Sequence, residues 1–216
     1  MNDLNLTDIR QNYSQNELDE KDVDKDPINF FHRWMNEALS AKVHEPTAMS
    51  VSTVSKDGKP SNRILLLKAV FNGKFQFYTN YASRKSQDME NNANVCLLFF
   101  WPELERQVRI EGSVEKLSRE ESLSYFKSRP RESCIGAHAS TQSSVIPSRA
   151  FIEEKYKKLE DDFKGIHEIP MPETWGGYQC SPTKIEFWQG RPSRLHDRIL
   201  FTHLTKQEWK IERLSP

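Results

Sequence analysis

The sequence is poor in glycine: eight in 216 residues, none in a G-x-G-x-x-G or Walker-type loop. Their absence excludes the two backbone cradles by which glycine-rich turns hold a dinucleotide or a nucleoside triphosphate. No Gly-x-Ser-x-Gly elbow and no paired-histidine metal motif is present, so neither a serine hydrolase nor a metal enzyme is indicated. The three cysteines, Cys96, Cys134 and Cys180, are odd in number and far apart, which gives neither a disulfide framework nor a zinc site. A reducing, cytoplasmic setting is therefore expected. Long apolar runs are also missing: the longest, Val95 to Trp101, falls far short of a membrane span. The polar, acidic start shows no signal pattern. Net charge is zero, with 31 basic against 31 acidic side chains, which argues against a nucleic-acid or membrane-surface binder.

What is present is a modest apolar fraction, 36%, in which aromatics reach 11%. A core of few but large side chains follows, and such a composition suits a chain that completes its core by dimerising. Between Glu17 and Asp26 six acids stand against Lys21 and Lys25, so residues 1–26 read as a solvated acidic arm and 27–216 as the folded domain. Asp26-Pro27 is an N-cap followed by proline at the first helical position, and Ile28, Phe31, Met35, Ala38 and Leu39 recur at helical spacing to about residue 41.

Strands follow. Ala48 to Ser55, Arg63 to Val70 and Phe75 to Thr79, joined at Asp57-Gly58 and Asn72-Gly73, predict an antiparallel meander. Residues 83–92 predict a short helix. Val95 to Trp101, apolar on both faces, predicts a central strand, and Gln107 to Leu117 another. Ser118 to Glu121 is a capping box opening a helix that carries Tyr125 and Arg129 on one face. A helix from about Ser148 to Phe163 has Ile152, Tyr156, Leu159 and Phe163 as its stripe. Strands around Tyr178, Ile185 to Gln189, Ile199 to His203 and Trp209 to Leu214 close the chain. Strands in two groups with helices around them make a mainly β, α+β fold, a closed or split barrel.

If phosphate is bound without glycine loops, basic side chains and helix N-termini must bind it. Arg63 and Lys68 bracket the apolar run Ile64, Leu65, Leu66 and Leu67, and in a regular strand would face opposite ways. Arg84 and Lys85 follow Ser83 at a helix start; taken alone they read as surface charge. Gln107 and Arg109 share a strand face. Tyr125, Arg129 and Ser133 gather a phenol, a guanidinium and a hydroxyl, equally consistent with a phosphate clamp or with surface decoration. Arg194, His196 and Arg198 alternate, so an extended chain would project all three from one face, where three cations call for an anion among them.

The stretch from Glu186 to Arg198 resembles the signature of the pyridoxine (pyridoxamine) 5'-phosphate oxidases at every defined position. The likeness extends over nearly the whole chain. It takes in Arg10 and Tyr13, Arg63 to Lys68, Tyr78-Thr79, Ser83 to Lys85, Arg106 to Arg109, Ser128 to Pro130, Gln142 to Pro147, Trp175 to Tyr178 and Arg213 to Pro216. The resemblance implies an FMN-binding split barrel working as a homodimer with the flavin at the subunit interface. It implies oxidation of pyridoxamine 5'-phosphate or pyridoxine 5'-phosphate to pyridoxal 5'-phosphate, with a hydride passing from C4' to flavin N5 and O2 giving H2O2. It assigns the segment from Arg63 to Lys68 to the flavin, with Tyr78, Thr79, Ser83, Arg84, Lys85, Gln107, Gln142, Ser143, Trp188 and Arg198. To the substrate it assigns Lys68, Tyr125, Arg129 and Ser133, with Arg194, Leu195 and His196 over the ring and Arg10 and Tyr13 on a covering arm. Asn62, His138 and Thr141 depart from the family pattern, all outside that core set. Two rival readings are a flavin reductase-like split-barrel enzyme and a non-enzymatic carrier of FMN or pyridoxal phosphate.

Overall fold

The computed structural model describes residues 12–205 and 208–216. Arg10 lies outside them. The first helix, α1 (Pro27–Ser40), begins as its sequence dictates: the Asp26 carboxylate accepts the Ile28 N–H, and Pro27 occupies a position where no amide hydrogen is needed. Its buried face is Phe30, Phe31, Trp34, Met35 and Ala38, whereas Leu39, assigned to the stripe, is 52% exposed. The face is turned because two large rings override the smaller periodic residues. Phe30 and Trp34 pack on Phe187 with centroids 4.4 and 5.2 Å apart, and Phe31 meets Phe99 at 5.2 Å. Each such buried ring contributes roughly 1.5–3 kcal/mol.

Among the described residues nine strands follow the sequence closely in position and less closely in pairing. They are β1 (Ala48–Val54), β2 (Pro60–Leu66), β3 (Ala69–Phe71), β4 (Lys74–Asn80), β5 (Asn94–Trp101), β6 (Arg106–Lys116), β7 (Trp175–Gln189), β8 (Asp197–Thr205) and β9 (Glu208–Arg213). The sheet order is β2-β1-β5-β6-β7-β4-β3, with β8 on β7 and β9 on β8. Both hairpins form where expected, the second with Asn72 and Gly73 at φ 48 and 73°, the left-handed pair that a tight two-residue turn demands. The meander does not: β2 and β4 stand far apart in the strand order, because the run Arg63 to Val70 is not one strand. It breaks at Leu67-Lys68, where Leu67 is buried and the Lys68 N–H donates to the Gln76 carbonyl. A second difference is β7, a single 15-residue strand where two were expected. Strand β5 lies between β1 and β6 as expected of a central strand, yet only one face is covered; Phe100 on the other is 52% exposed.

Four further helices are α2 (Arg84–Asn91), α3 (Arg119–Lys127), α4 (Arg131–Ala139) and α5 (Arg149–Asp162). The capping box of α3 is complete: Glu121 N–H donates to Ser118 Oγ and Ser118 N–H to Glu121 Oε2. No expected element corresponds to α4. It follows α3 after a turn at Ser128, Arg129 and Pro130, so Arg129 is not on the helix face of Tyr125 but beyond its end. The expected mainly β chain with flanking helices is what forms. Among the described residues no helix is long and apolar enough to cross a membrane.

The chain makes two compact units. One joins the described residues up to Thr47 with Leu98–Ile110 and Thr183–Pro216; the other comprises Ala48–Leu97 and Glu111–Pro182. In the first unit the acidic segment is largely exposed but anchored at several points from Tyr13 onward. Leu18 is 4% exposed, its N–H donates to Asp197, and Glu20 pairs with Arg213. Glu17 and Glu20 therefore have arginine partners, Arg191 and Arg213, which composition alone does not reveal.

Candidate active site

In the second unit a cleft of about 650 Å³ opens between β2, β4, α3 and α4. Ile64, Leu65 and Leu66 form one wall, with Lys68 at the strand break, and Tyr78 and Thr79 of β4 form another. Tyr125, Arg129 and Ser133 converge on it from α3, the turn and α4, and Gln142 closes it. These three side chains therefore come together through a helix–turn–helix, not along one helix face. Sequence reasoning missed Asn80, Pro130, Gly136, Ala137, Ser140 and Trp175 as lining residues. Only Trp175, a large aromatic beside two glycines, carries a signal that could have placed it.

Arg129 is the most informative group in this cleft. Its guanidinium lies 4.7 Å from the Trp175 ring centroid and 5.3 Å from that of Phe126. Tyr125 and Tyr78 stack at 3.9 Å beside Trp175. Cation–π contact of this kind holds a guanidinium flat but takes none of its hydrogen bonds. Nη1 is buried and has no hydrogen-bond partner among the described residues. Burial also lowers the Arg129 pKa below the ordinary arginine value. A buried, unpaired donor of a permanent cation costs stability, so this arrangement favours an incoming anion.

A second cationic seat lies in the same unit. Lys85, 7% exposed in the first turn of α2, gives its Nζ hydrogens to Thr79 Oγ1 (3.0 Å), Ser83 Oγ (3.1 Å) and Gln142 Oε1 (2.9 Å). All three acceptors are neutral. Burial, with help from the nearby Arg63 charge, pulls its pKa down to about 8. Arg63 is half-buried, and burial lowers its pKa as well. Ser83 caps α2 without a side-chain bond to it, so the first N–H groups of the helix are not claimed by that hydroxyl. The surface reading of Lys85 is thus corrected: it is a core lysine. Arg84 beside it is exposed, as is Ser143, whose φ is 74°. Lys68 is exposed on the cleft wall.

The first unit holds the remaining candidates. Gln107 and Arg109 do share a face of β6, both half-buried. Trp188 of β7 is directly paired with Arg198 of β8. Between these strands the chain is not extended: Pro192–Arg194 form a 3-10 turn, with Ser193 and Arg194 left-handed at φ 58 and 62°. Alternation of Arg194, His196 and Arg198 along a strand is therefore replaced by a turn that leaves Arg194 and Leu195 exposed and His196 half-buried. Nor does Arg198 await an external anion. Glu186, 2% exposed, pairs with Arg198 at 2.8 Å and with Arg109 at 2.5 Å. An acid between Ile185 and Phe187 in a core strand was the unread signal.

His196 is held in one tautomer. The Arg191 N–H donates to its Nδ1 at 3.1 Å, so the neutral ring carries its proton on Nε2. Burial first, then Arg194, lowers its pKa, which keeps the ring neutral at physiological pH. Trp188 and Tyr13 flank it, at 4.7 and 5.8 Å between centroids. Tyr13 is seated by Glu105, whose carboxylate accepts the Ser14 and Gln15 N–H groups at 2.8 and 3.0 Å. Gly190 leaves the space: a Cβ there would stand 2.7 Å from Tyr13 Cβ and Cγ.

Comparison with known proteins bears on these clusters. A family model described as pyridoxamine 5'-phosphate oxidase matches residues 35–161, and one described as pyridoxine 5'-phosphate oxidase C-terminal dimerisation region matches residues 175–216. The pyridoxine/pyridoxamine 5'-phosphate oxidase of Leptospira biflexa is 54% identical over 216 residues, 100% of both chains. That of Bacteroides thetaiotaomicron is 50% identical over 212 residues, 98% of this chain and 99% of its own. Among solved structures, PhzG from Burkholderia lata in complex with tetrahydrophenazine-1-carboxylic acid superposes with a TM-score of 0.85 at 27% identity, covering 91% of this chain and 95% of that one. A pyridoxamine 5'-phosphate oxidase-related, FMN-binding protein from Nostoc punctiforme gives 0.69 at 15% identity over 86% and 97%, a likeness of fold. The fold class read from the sequence, a mainly β split barrel with flanking helices, is the one these structures share.

Proposed function

The chain belongs to the pyridoxamine 5'-phosphate oxidase family, and from that premise we propose that it oxidises pyridoxamine 5'-phosphate or pyridoxine 5'-phosphate to pyridoxal 5'-phosphate with bound FMN. The observation that carries the reading is Arg129, a buried guanidinium with an unpaired Nη1 on the wall of a cleft. It supplies an anion seat additional to the one at Arg63 and Lys85, and the reaction has two phosphates to hold, one on the cofactor and one on the substrate. The residues present fit both. Lys85 and Arg63, without a glycine loop, suit one terminal phosphate rather than a pyrophosphate. Lys68, Tyr125, Arg129 and Ser133 suit the substrate phosphate.

When bound, FMN would supply the acceptor for two electrons, regenerated by O2 with release of H2O2. The protein's own part is to bind, orient and polarise. Arg194, flat and always charged, would cover a planar pyridine ring. His196 presents Nε2–H, a donor and not a base in this tautomer, so its role is to hydrogen-bond a polar substituent of that ring. Arg198, neutralised by Glu186, and Gln107 would contact the flavin, with Trp188 beside them. Tyr13 would cover His196 and Trp188. The match to a dimerisation region, with Ile64 at 63% exposure and Val145 at 99%, supports a homodimer with the flavin at its interface.

Anaerobic mixing with pyridoxamine 5'-phosphate tests the reading directly. The oxidase should bleach the absorbance of its FMN in a single turnover. A flavin reductase would respond to a nicotinamide instead, and a carrier to neither. Flavin left oxidised by both phosphorylated substrates would remove the proposal.

The charge state of Lys85 adds a pH dependence. A phosphate in contact with Nζ needs the protonated amine, which the free protein holds below about 8. Above that value binding must bring a proton with it, so affinity falls as pH rises. The FMN dissociation constant should be flat near pH 7–7.5, where the phosphate is already largely dianionic, and rise toward ~10-fold per pH unit above 8. Fluorescence titration of the apoprotein from pH 7 to 9.5 measures it. A constant value across that range would place Lys85 away from the phosphate.

A further inference from the structure

We propose that Thr53 and Asp88 form a positioning relay that aims Arg63 at the cofactor phosphate and so sets the preference for FMN over its dephosphorylated form. The inference rests on the FMN reading above and deepens it. Arg63 faces Val51 across the β1–β2 ladder, and its guanidinium is held by three bonds. Nη1 donates to the Val51 carbonyl at 3.0 Å and to Thr53 Oγ1 at 2.8 Å, and Nη2 donates to Ser61 Oγ at 2.7 Å. A guanidinium has five donors, so two are left for an anion.

Thr53 is 0% exposed and Asp88 5%. The Thr53 hydroxyl donates its one hydrogen to Asp88 Oδ2 at 2.7 Å, which leaves a lone pair as the only group it can turn toward Arg63. Its polarity is therefore fixed by a buried carboxylate. Asp88 also lies on α2, the helix that carries Lys85, so a single hydroxyl on β1 links the side chain of one cation to the helix of the other.

The contrast with Glu186 shows what the interposed hydroxyl achieves. Glu186 contacts Arg198 directly, and that pairing satisfies the arginine and raises its pKa. Asp88 acts on Arg63 through Thr53, stabilising the cation by its charge without occupying the guanidinium's donors. Every hydrogen-bond partner of Arg63 among the described residues is a neutral oxygen, so the cation stays oriented and free to bind an anion. A relay that only pinned α2 to β1 would have no reason to engage Arg63.

Titration of the apoprotein with FMN and, separately, with riboflavin, followed by quenching of flavin fluorescence, separates the two roles. Wild type should prefer FMN. Thr53→Val, which keeps the shape and removes the hydroxyl, should weaken FMN about 10- to 50-fold, the scale of one charge-assisted hydrogen bond, with riboflavin within about 3-fold. Thr53→Ser should restore the preference, and in an Arg63→Ala background Thr53→Val should add no further loss. Asp88→Asn, isosteric and able to accept the same hydrogen, provides the second measurement if Thr53→Val fails to fold. It should lower the FMN-to-riboflavin ratio about 3- to 10-fold. Equal weakening of both flavins, or an unchanged ratio in the folded variants, overturns the relay. A wild type with no preference for FMN would overturn the cofactor reading itself.

Discussion

Arg129→Gln is expected to lower kcat/KM for pyridoxamine 5'-phosphate about 100- to 1,000-fold while leaving FMN content unchanged. The loss corresponds to roughly 3–4 kcal/mol, that of one or two hydrogen bonds between a cation and a phosphate. It should fall mainly on KM, since a phosphate remote from the reacting carbon is held alike in ground and transition states. The same variant should use unphosphorylated pyridoxamine about as poorly as wild type does. Equal losses on both substrates would mean that Arg129 supports the cleft and does not read the phosphate. An independent sign comes from stability. Nη1 is buried without a partner, and apolar rings line the guanidinium. Arg129→Met removes a desolvated cation and fills the same space, so the melting temperature of the unliganded protein should not fall. A clear drop would show that the guanidinium earns its place by structure.

Arg194→Lys and His196→Ala should each keep full FMN occupancy and lose catalytic efficiency by about 10- to 1,000-fold, or roughly 1.4–4 kcal/mol of transition-state stabilisation. Arg194 stands exposed at the end of a 3-10 turn at φ 62°, with Ser193 also left-handed before it. Backbone strain of this kind persists where a side chain must be aimed. Lysine could reach the same region but offers a point charge in place of a flat fork. His196 is fixed from behind by the Arg191 N–H and from its sides by Trp188 and Tyr13, so alanine would remove a preset donor. Stopped-flow reduction of the flavin under anaerobic conditions, over a range of substrate concentrations, gives the rate for each variant. Wild-type rates in both would reduce the pair to structural residues. Loss of flavin instead would move this turn to the cofactor's side of the site.

Much of this protein is legible in its sequence because the relevant signals are local. Asp26-Pro27, the Ser118 to Glu121 capping box and the two hairpin turns each act over a few residues, and each forms as read. Separated blocks of matching residues were enough to reach the family, since such blocks record a shared site whatever the pairing of strands. Long-range order was not legible. The break at Leu67-Lys68, which sends Lys68 to the cleft and separates β2 from β4, comes where Lys68 leaves the β1 ladder and donates to Gln76 of β4. Arg129 left its predicted helix face because Pro130 starts a new helix there.

Charge was the other unread quantity. From sequence, Lys85 is a surface cation and Arg198 an unpaired one; tertiary structure buries the first among neutral oxygens and gives the second a carboxylate from a neighbouring strand. The acidic segment near the N-terminus finds its arginines in the same way. Sequence by itself determined which chemical groups this protein has and the local turns and caps that frame them. Only the tertiary structure decided which cations remain free to hold a phosphate, because that depends on which acids the fold brings within bonding distance and which it keeps one hydroxyl away.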